Sequence, residues 1–293
     1  MTFARREALF TPFVDTILIF GGINAMMALG LYLPLSAGQL SLAQGGFMAI
    51  GAYTSAVFTT RFGLPFGPAL FIGASLASMV GVVVGFPALR IRGIYLLLMT
   101  LGFNEIIRVF FLNFKYTGGV GGFGGILPLT NMYNLYGILI LLIIFFYRFQ
   151  NSHLGRILRT IGQDQDAAEA RGIPLTRMKT LAFGGGAFIA GLAGGFYAHF
   201  VMFIDSENFG FFTSLEAMIF VLLGGSNVFA GPVLGAYLVT VIPEIFRFIQ
   251  TFRYEIFGSI LVIMMILRPK GILDEEIIRP IWWKGKLLNR WSK

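Results

Sequence analysis

The sequence contains no cysteine, so disulfides, thiolate metal sites and cysteine nucleophiles are excluded. Its two histidines have no paired spacing, which argues against a metal site. The phosphate-binding pattern G-x-x-x-x-G-K-[ST] is also missing, because Gly285-Lys286 has neither the upstream glycine nor the following hydroxyl residue. We therefore expect no metal, no cofactor and no catalytic residue in this chain.

Charge is scarce as well. Only 12% of the 293 residues are charged, against about a quarter in soluble domains, whereas 56% are hydrophobic. This composition predicts an all-α integral membrane protein with many spans. The net charge of +8 is explained by basic cytoplasmic loops, so we expect no nucleic-acid partner. The N-terminus has no separate signal-peptide core and cleavage site, and we expect the first span to be retained as an anchor.

Seven apolar runs approach the roughly 20 residues that a spanning helix needs. They are Pro12–Leu33, Pro65–Leu89, Gly93–Asn113, Met132–Phe149, Thr180–Val201, Phe229–Phe246 and Phe252–Leu267. Two further apolar segments are less regular. Pro34–Thr60 is interrupted by glycines, and Phe211–Leu223 is too short for a full span. The sequence predicts one transmembrane domain over residues 1–293, a bundle of about eight or nine helices with broken or re-entrant segments. Nine passes, or eight passes plus one re-entrant segment, both fit.

The basic residues predict which loops are cytoplasmic, since such loops retain Lys and Arg. Residues 150–179 and the C-terminal tail are rich in both and should be cytoplasmic. Asp205-Ser206-Glu207 and Thr117–Gly125 should lie outside. The side of the N-terminus is left open, because it depends on how Pro34–Thr60 crosses.

Residues 150–179 are the only long polar stretch between spans, and they carry their own helical pattern. A first helix is indicated by apolar residues at helical spacing up to Ile161. A short second helix is predicted over Asp164–Arg171, with Asp164 or Asp166 as its N-cap and Gly172 followed by Pro174 as its stop. A solvated helix lying on the bilayer surface is the alternative interpretation.

Several motifs occur in an order that resembles one family. They are Gly38-Gln39-Leu40-Ser41-Leu42, Ile50-Gly51-Ala52-Tyr53-Thr54, Leu89-Arg90-x-Arg92-Gly93-Ile94-Tyr95, Thr117-Gly118-Gly119, Gly155-Arg156-x-x-Arg159-x-x-Gly162, Ala167-Ala168-Glu169-Ala170-x-Gly172-Ile173, Ala193-Gly194-Gly195-x-Tyr197-Ala198-His199 and Gly231-Pro232-Val233-Leu234-Gly235. Together they resemble the branched-chain amino acid permeases of the LivM type, which are ABC importer permeases. Gln44 and Ser226-Asn227 depart from the usual pattern and leave the substrate open.

The resemblance implies an ABC importer permease fold and a set of partners. These are two ABC ATPase subunits, a second homologous permease subunit, an extracytoplasmic solute-binding protein and membrane lipid, with a branched-chain or related neutral amino acid as substrate. The bacterial cytoplasmic membrane is the implied location. The coupling loop at 150–179 would meet the ATPase through Arg156, Arg159, Asp164, Ala168, Glu169, Ala170 and Gly172. A permease of the same family that carries urea or amides is an alternative.

Polar residues inside spans are candidates for the translocation path, because buried polar groups in lipid are costly. They are Gln39, Ser41, Gln44, Thr100, Asn104 and Glu216. The glycine-broken segment with Gln39, Ser41 and Gln44 suits a gate, although a close helix contact explains its glycines equally well. Glu105 and Arg108 are expected to pair with each other, and His199 to be solvated at the interface.

Two other interpretations stay open. A secondary transporter driven by an ion gradient would need carboxylates at mid-depth, for which Glu105 and Glu216 are the candidates. An internal duplication is suggested by Gly51-Ala52-Tyr53, which recurs as Gly235-Ala236-Tyr237.

Overall fold

A computed structural model of the chain describes residues 3–88, 91, 93–245, 258 and 271–272. Ten α-helices are present in this part of the chain: α1 (Phe3–Ser36), α2 (Gln44–Thr60), α3 (Phe66–Ala88), α4 (Ile94–Asn113), α5 (Met132–Asn151), α6 (His153–Gln163), α7 (Gln165–Ala170), α8 (Leu175–Val201), α9 (Phe211–Gly224) and α10 (Ala230–Ile245). Two short strands, β1 (Phe123–Gly124) and β2 (Phe203–Ile204), pair antiparallel.

Six of these elements are long and apolar enough to cross a membrane. They are α1 over Phe13–Ser36, α3 over Phe66–Pro87, α4, α5, α8, and the segment Ser206–Gly224 that contains α9. The predicted helical membrane bundle is thus confirmed. The predicted span Phe252–Leu267, the basic pair Arg90 and Arg92, and the C-terminal tail lie outside the described residues, so a total of eight or nine spans stays a prediction.

The helix α8 occupies the centre of the bundle and packs against α1, α2 and α3. Small residues make this possible, because they let two helix backbones approach closely. A Cβ atom at Gly51 of α2 would overlap the backbone of Gly191 in α8, and one at Gly194 would overlap the carbonyl of Met48. A Cβ at Gly73 of α3 would lie 2.8 Å from the carbonyl oxygen of Gly51. These three helices therefore touch backbone to backbone.

Contacts with α8 give the direction of the first two helices. The helix α1 runs antiparallel to α8, since Phe20 packs on Phe200 whereas Gly30 meets Gly186. The end of α1 therefore lies on the side of the bundle that carries α6 and α7, which we call the loop face; the opposite side is the far face. The helix α2 runs parallel to α8, so it begins inside the bundle and ends at the far face.

The path of the chain between α1 and α2 explains the glycine-broken pattern of Pro34–Thr60. The chain crosses to the loop face in α1, turns, and returns as the non-helical segment 37–43 before α2 starts at Gln44. We call residues 37–43 the helix break. The sequence predicted an interrupted segment here, and the structure places the interruption between two helices that point in opposite directions.

Candidate functional site

The helix break begins where α1 is stopped by a left-handed glycine. Gly38 has φ of 72°, and the N–H groups of Ala37 and Gln39 return to the carbonyl of Pro34 at 3.0 and 3.1 Å. Glycine suits this position because it has no Cβ to strain a left-handed backbone. The chain thereby leaves the helical axis and re-enters the bundle.

Side chains from two other helices satisfy the backbone of the break and of the first turn of α2 that follows it. The N–H of Leu42 donates to Thr100 Oγ1 of α4 at 2.9 Å, and the N–H of Gly45 donates to Ser214 Oγ of α9 at 2.8 Å. Non-helical backbone at membrane depth is tolerated only where protein or water satisfies it in this way. The serine of α9 thus caps the N-terminus of α2, where Ala43 provides no side-chain cap.

These hydrogen bonds belong to a buried group that we call the polar cluster: Ser41, Thr100, Asn104 and Ser214. Ser214 Oγ donates to Asn104 Oδ1 at 3.3 Å, and Asn104 Nδ2 donates to the carbonyl of Phe209 at 3.3 Å. Asn104 lies near the midpoint of α4, so the cluster lies at mid-depth of that helix. It joins the break and the start of α2 to α4 and to the entry of α9.

Two glutamines of the predicted path have buried side-chain atoms without a hydrogen-bond partner among the described residues. Gln39 and Gln44 are each 1% exposed. Both amide atoms of Gln39 and the Oε1 atom of Gln44 have no hydrogen-bond partner among the described residues. Buried polar atoms of this kind cost free energy unless water or a ligand pairs with them. The break therefore offers unpaired amide groups inside the bundle.

Glu216 is not part of the polar cluster. It lies on α9 and lines a cavity of about 180 Å³ between α1, α2, α8 and α9. Other cavity residues are Asn24 and Met27 of α1, Met48 of α2 and Tyr197 of α8. The structure thus separates the six predicted path residues into the break with its cluster and this neighbouring cavity.

Glu105 and Arg108 form the ion pair that their spacing predicts, with Arg108 Nε 2.7 Å from Glu105 Oε2. A second partner was not predicted: Arg108 Nη1 also lies 2.6 Å from Glu207 Oε1, which precedes α9 on the far face. Arg108 therefore holds the loop before α9 against the end of α4.

The prediction for His199 is wrong. Its side chain is fully buried; Nε2 lies 2.9 Å from Thr59 Oγ1 and Nδ1 lies 2.8 Å from the carbonyl oxygen of Gly195. The ring of Phe66 packs edge-on against it at 4.9 Å. The ends of α2 and α3 cover this end of α8, and burial of the imidazole follows from that packing.

The polar loop has the two predicted helices. In α6 the apolar residues Leu158 and Ile161 are buried, as their spacing predicts. The helix α7 is capped by Asp164, whose Oδ1 accepts hydrogen bonds from the N–H groups of Asp166 and Ala167 at 3.0 Å. After α7, Gly172 takes a left-handed conformation with φ of 78° and stops the helix.

One side of α7 is buried and the other is exposed. Ala168 is fully buried beneath the helix, whereas Glu169 and Ala170 are exposed. Six residues are too few for a helix to be stable in isolation, so its position depends on the cap, the glycine stop and Ala168. The loop therefore presents a short helix with an acidic, small-residue surface on a fixed base.

Arg156 and Arg159 have a different environment from α7. Arg156 Nη1 donates to the carbonyl of Asn151 at 3.1 Å, and Arg159 Nη2 donates to the carbonyl of Gln150. Both carbonyls end α5, where a helix favours positive charge. These arginines therefore hold α6 against the end of α5.

The base of the loop touches the helix break directly. A Cβ atom at Gly162 of α6 would lie 2.6 Å from the carbonyl oxygen of Ser36 and 3.3 Å from the nitrogen of Gly38. Beside this contact, Lys179 Nζ of α8 donates to Gln165 Oε1 of α7 at 2.8 Å. The end of α6 therefore packs directly on the backbone at the start of the break.

Sequence reasoning missed Ser214, Asn24 and Asn208. Ser214 lies 169 residues from the backbone that it caps, so no local spacing indicates the contact. Asn208 lies between α8 and α9 in a polar stretch of the sequence, where no pattern distinguishes it from its neighbours. Only the packing of α9 against α1 and α2 brings these side chains together.

A bundle of apolar helices, with a break between α1 and α2 and a helical loop at one face, is the architecture expected of a multi-pass membrane transport component. The family described as "Branched-chain amino acid transport system / permease component" matches residues 13–268. The chain belongs to this family.

Curated relatives agree with this assignment. The chain is 32% identical over 287 residues to the "High-affinity branched-chain amino acid transport system permease protein LivM" of Escherichia coli, and the match covers 86% of this chain and 66% of that protein. The Salmonella typhimurium protein of the same name gives the same identity and coverage. A "Probable branched-chain amino acid transport permease protein LivM" of Methanocaldococcus jannaschii is 26% identical over 75% of this chain and 72% of that protein. The chain thus spans just under two thirds of the length of the first two relatives, and no solved structure matches it.

Proposed function

We propose that this chain is a permease subunit of an ATP-binding cassette importer that carries branched-chain or related neutral amino acids. The proposal is supported by the family match over residues 13–268 and by relatives whose names specify branched-chain amino acid transport. Hydrolysis of ATP is assigned to two separate ATPase subunits, because the sequence has no phosphate-binding loop.

The loop face is assigned to the cytoplasm of a bacterial cell. Residues 150–179 contain Arg156, Arg159, Arg171, Arg177 and Lys179, and cytoplasmic loops retain such charges. The far face then meets an extracytoplasmic solute-binding protein that delivers the amino acid. A second, similar permease subunit completes the path.

The helix α7 is the proposed contact with the ATPase, and the observation that carries this assignment is the contact of Gly162 with Ser36. A helix that only rested on the bilayer would need no such connection. Here the base of the exposed helix meets the start of the break. The break is bonded to Thr100 through Leu42, and Gly45 at the start of α2 is bonded to Ser214. Closure of the ATPase subunits would thus move α6 and α7, then the break, and then the entry of α9.

Two substitutions on α7 test the coupling. Glu169→Ala removes the exposed carboxylate, and Gly172→Ala places a Cβ on a left-handed backbone, which costs about 1–2 kcal/mol. Both variants should lose ATP-dependent leucine uptake in cells that lack other leucine transporters, with normal amounts of protein in the membrane. Gly102→Ala on α4 is the matched control, since its Cβ would meet nothing within 4 Å.

Partner identity is tested by purification from native membranes. The chain should co-purify with two proteins that contain phosphate-binding loops and with a second permease. Normal uptake by both α7 variants, or gradient-driven accumulation by the chain alone without nucleotide, would contradict the proposal.

A further inference from the structure

The cavity beside Glu216 differs from the polar cluster in its chemistry. On the neighbouring spanning helix α4, the carboxylate of Glu105 is paired with Arg108. Glu216 makes no hydrogen bond or ion pair with any described residue, and it lies five residues into α9 from its first residue. The Glu216 residue is exposed in this structure rather than packed against protein. A carboxylate on a spanning helix would be costly against lipid, so its presence indicates a function.

Two asparagine amides line the same cavity as Glu216. Asn24 Nδ2 donates to Thr240 Oγ1 at 2.9 Å, and Asn208 Nδ2 donates to the hydroxyl of Tyr197 at 3.0 Å. Each bond uses one of the two N–H groups of its amide, and neither amide oxygen accepts a hydrogen bond from a described residue. A carboxylate with two amide oxygens suits an ammonium group, which carries three donors and no acceptor.

One donor and an apolar wall complete the cavity. The Tyr197 hydroxyl accepts from Asn208, so its own hydrogen is available to an incoming acceptor such as a carboxylate. The remaining lining consists of Thr213 and four apolar residues, which are Phe20, Met27, Met48 and Phe220. Methionine side chains adapt to apolar groups of different shape.

The size of the cavity restricts its ligand. About 180 Å³ is less than the roughly 300–1,000 Å³ of sites for drug-sized ligands, so the occupant is smaller than these. A small molecule with an ammonium group, a carboxylate and an apolar side chain fits every part of the lining.

From this geometry we infer that the Glu216 cavity is a transient binding site for an aliphatic amino acid in transit, with Glu216 accepting the α-ammonium group. The inference rests on the proposed function and adds a recognition step inside the permease. Glu216 with Asn24 and Asn208 binds the ammonium group, Tyr197 donates to the carboxylate, and the methionines contact the aliphatic side chain.

Proteoliposomes that contain the assembled importer and internal ATP, with leucine-loaded binding protein outside, provide the test. Glu216→Gln should lower leucine uptake at least about tenfold, the effect of losing one charge-assisted hydrogen bond. ATP hydrolysis stimulated by the loaded binding protein should stay close to wild type, because the ATPase subunits do not contact the cavity. Glu216→Asp should restore most of the uptake, and Glu105→Gln, which removes an already paired carboxylate, is the matched control.

A second measurement identifies the chemical group. 3-Methylbutylamine inside the proteoliposomes should inhibit leucine uptake by the wild-type importer. 4-Methylpentanoate, which lacks the ammonium group, should not inhibit it. Glu216→Gln should abolish the inhibition by the amine. Wild-type uptake in Glu216→Gln, or equal inhibition by both compounds, would overturn the inference while leaving the importer assignment intact. Failure of the wild-type assembly to take up leucine with ATP would overturn the proposed function itself.

Discussion

The functional importance of the contact between α6 and the end of α1 can be tested by adding one methyl group at Gly162. A Cβ at Gly162 would lie 2.6 Å from the carbonyl oxygen of Ser36, and the neighbouring atoms of Ser36 and Gly38 are also backbone. No side-chain rotation can relieve this overlap. The two segments must separate by about 0.8 Å to reach the 3.4 Å of ordinary contact. Overpacking of this kind costs about 1–3 kcal/mol, which is about 5- to 150-fold in the population of the packed arrangement.

Gly162→Ala should therefore reduce ATP-dependent leucine uptake at least about fivefold. The assay is initial uptake in the reconstituted importer, with the amount of inserted protein measured in parallel. Gly137→Ala on α5 is the control, because its Cβ would meet nothing within 4 Å. Wild-type uptake by Gly162→Ala, at normal abundance in the membrane, would refute the idea that movement passes through this contact.

Three further substitutions test the packing. Ser214→Ala leaves the buried N–H of Gly45 unpaired and should lower the thermal denaturation midpoint of the purified chain, since an orphaned donor costs about 1–3 kcal/mol; an unchanged midpoint would contradict the capping role. Gly51→Ala should lower the midpoint more strongly because its Cβ overlaps backbone, whereas the same exchange at Gly102 should have no effect. Asp164→Ala removes the cap of α7 at a cost of about 1 kcal/mol and should weaken uptake without moving the midpoint; full uptake would show that the cap is dispensable.

Local features of the site were predictable from the sequence. The helix α7 was expected over Asp164–Arg171 and is found at Gln165–Ala170 with Asp164 as its cap, because caps and glycine stops act over a few residues. The Glu105–Arg108 pair follows from helical spacing in the same way. The helix α6 also has its apolar residues buried, as the periodicity of the sequence indicates.

Contacts between distant segments were not predictable. His199 follows an apolar run, which is typical of an interface, but Thr59 and Phe66 cover it in the fold. Ser214 looked like an ordinary residue of a short apolar segment, yet it caps the helix that begins near Gly45. Such roles depend on which helices become neighbours, and one sequence does not contain that information in its spacing.

The backbone contacts among α2, α3 and α8 have a mechanical consequence. Glycines bring the main chains of these three helices together with no side chains between them. We expect the three helices to move as one body during transport, and we expect α9, which hydrogen bonds join to α2 and α4, to move relative to them. Spectroscopic probes on α3 and α8 should therefore keep a constant separation during turnover, while a probe on α9 changes its distance from both. The absence of native cysteine allows such probe pairs to be introduced without background labelling.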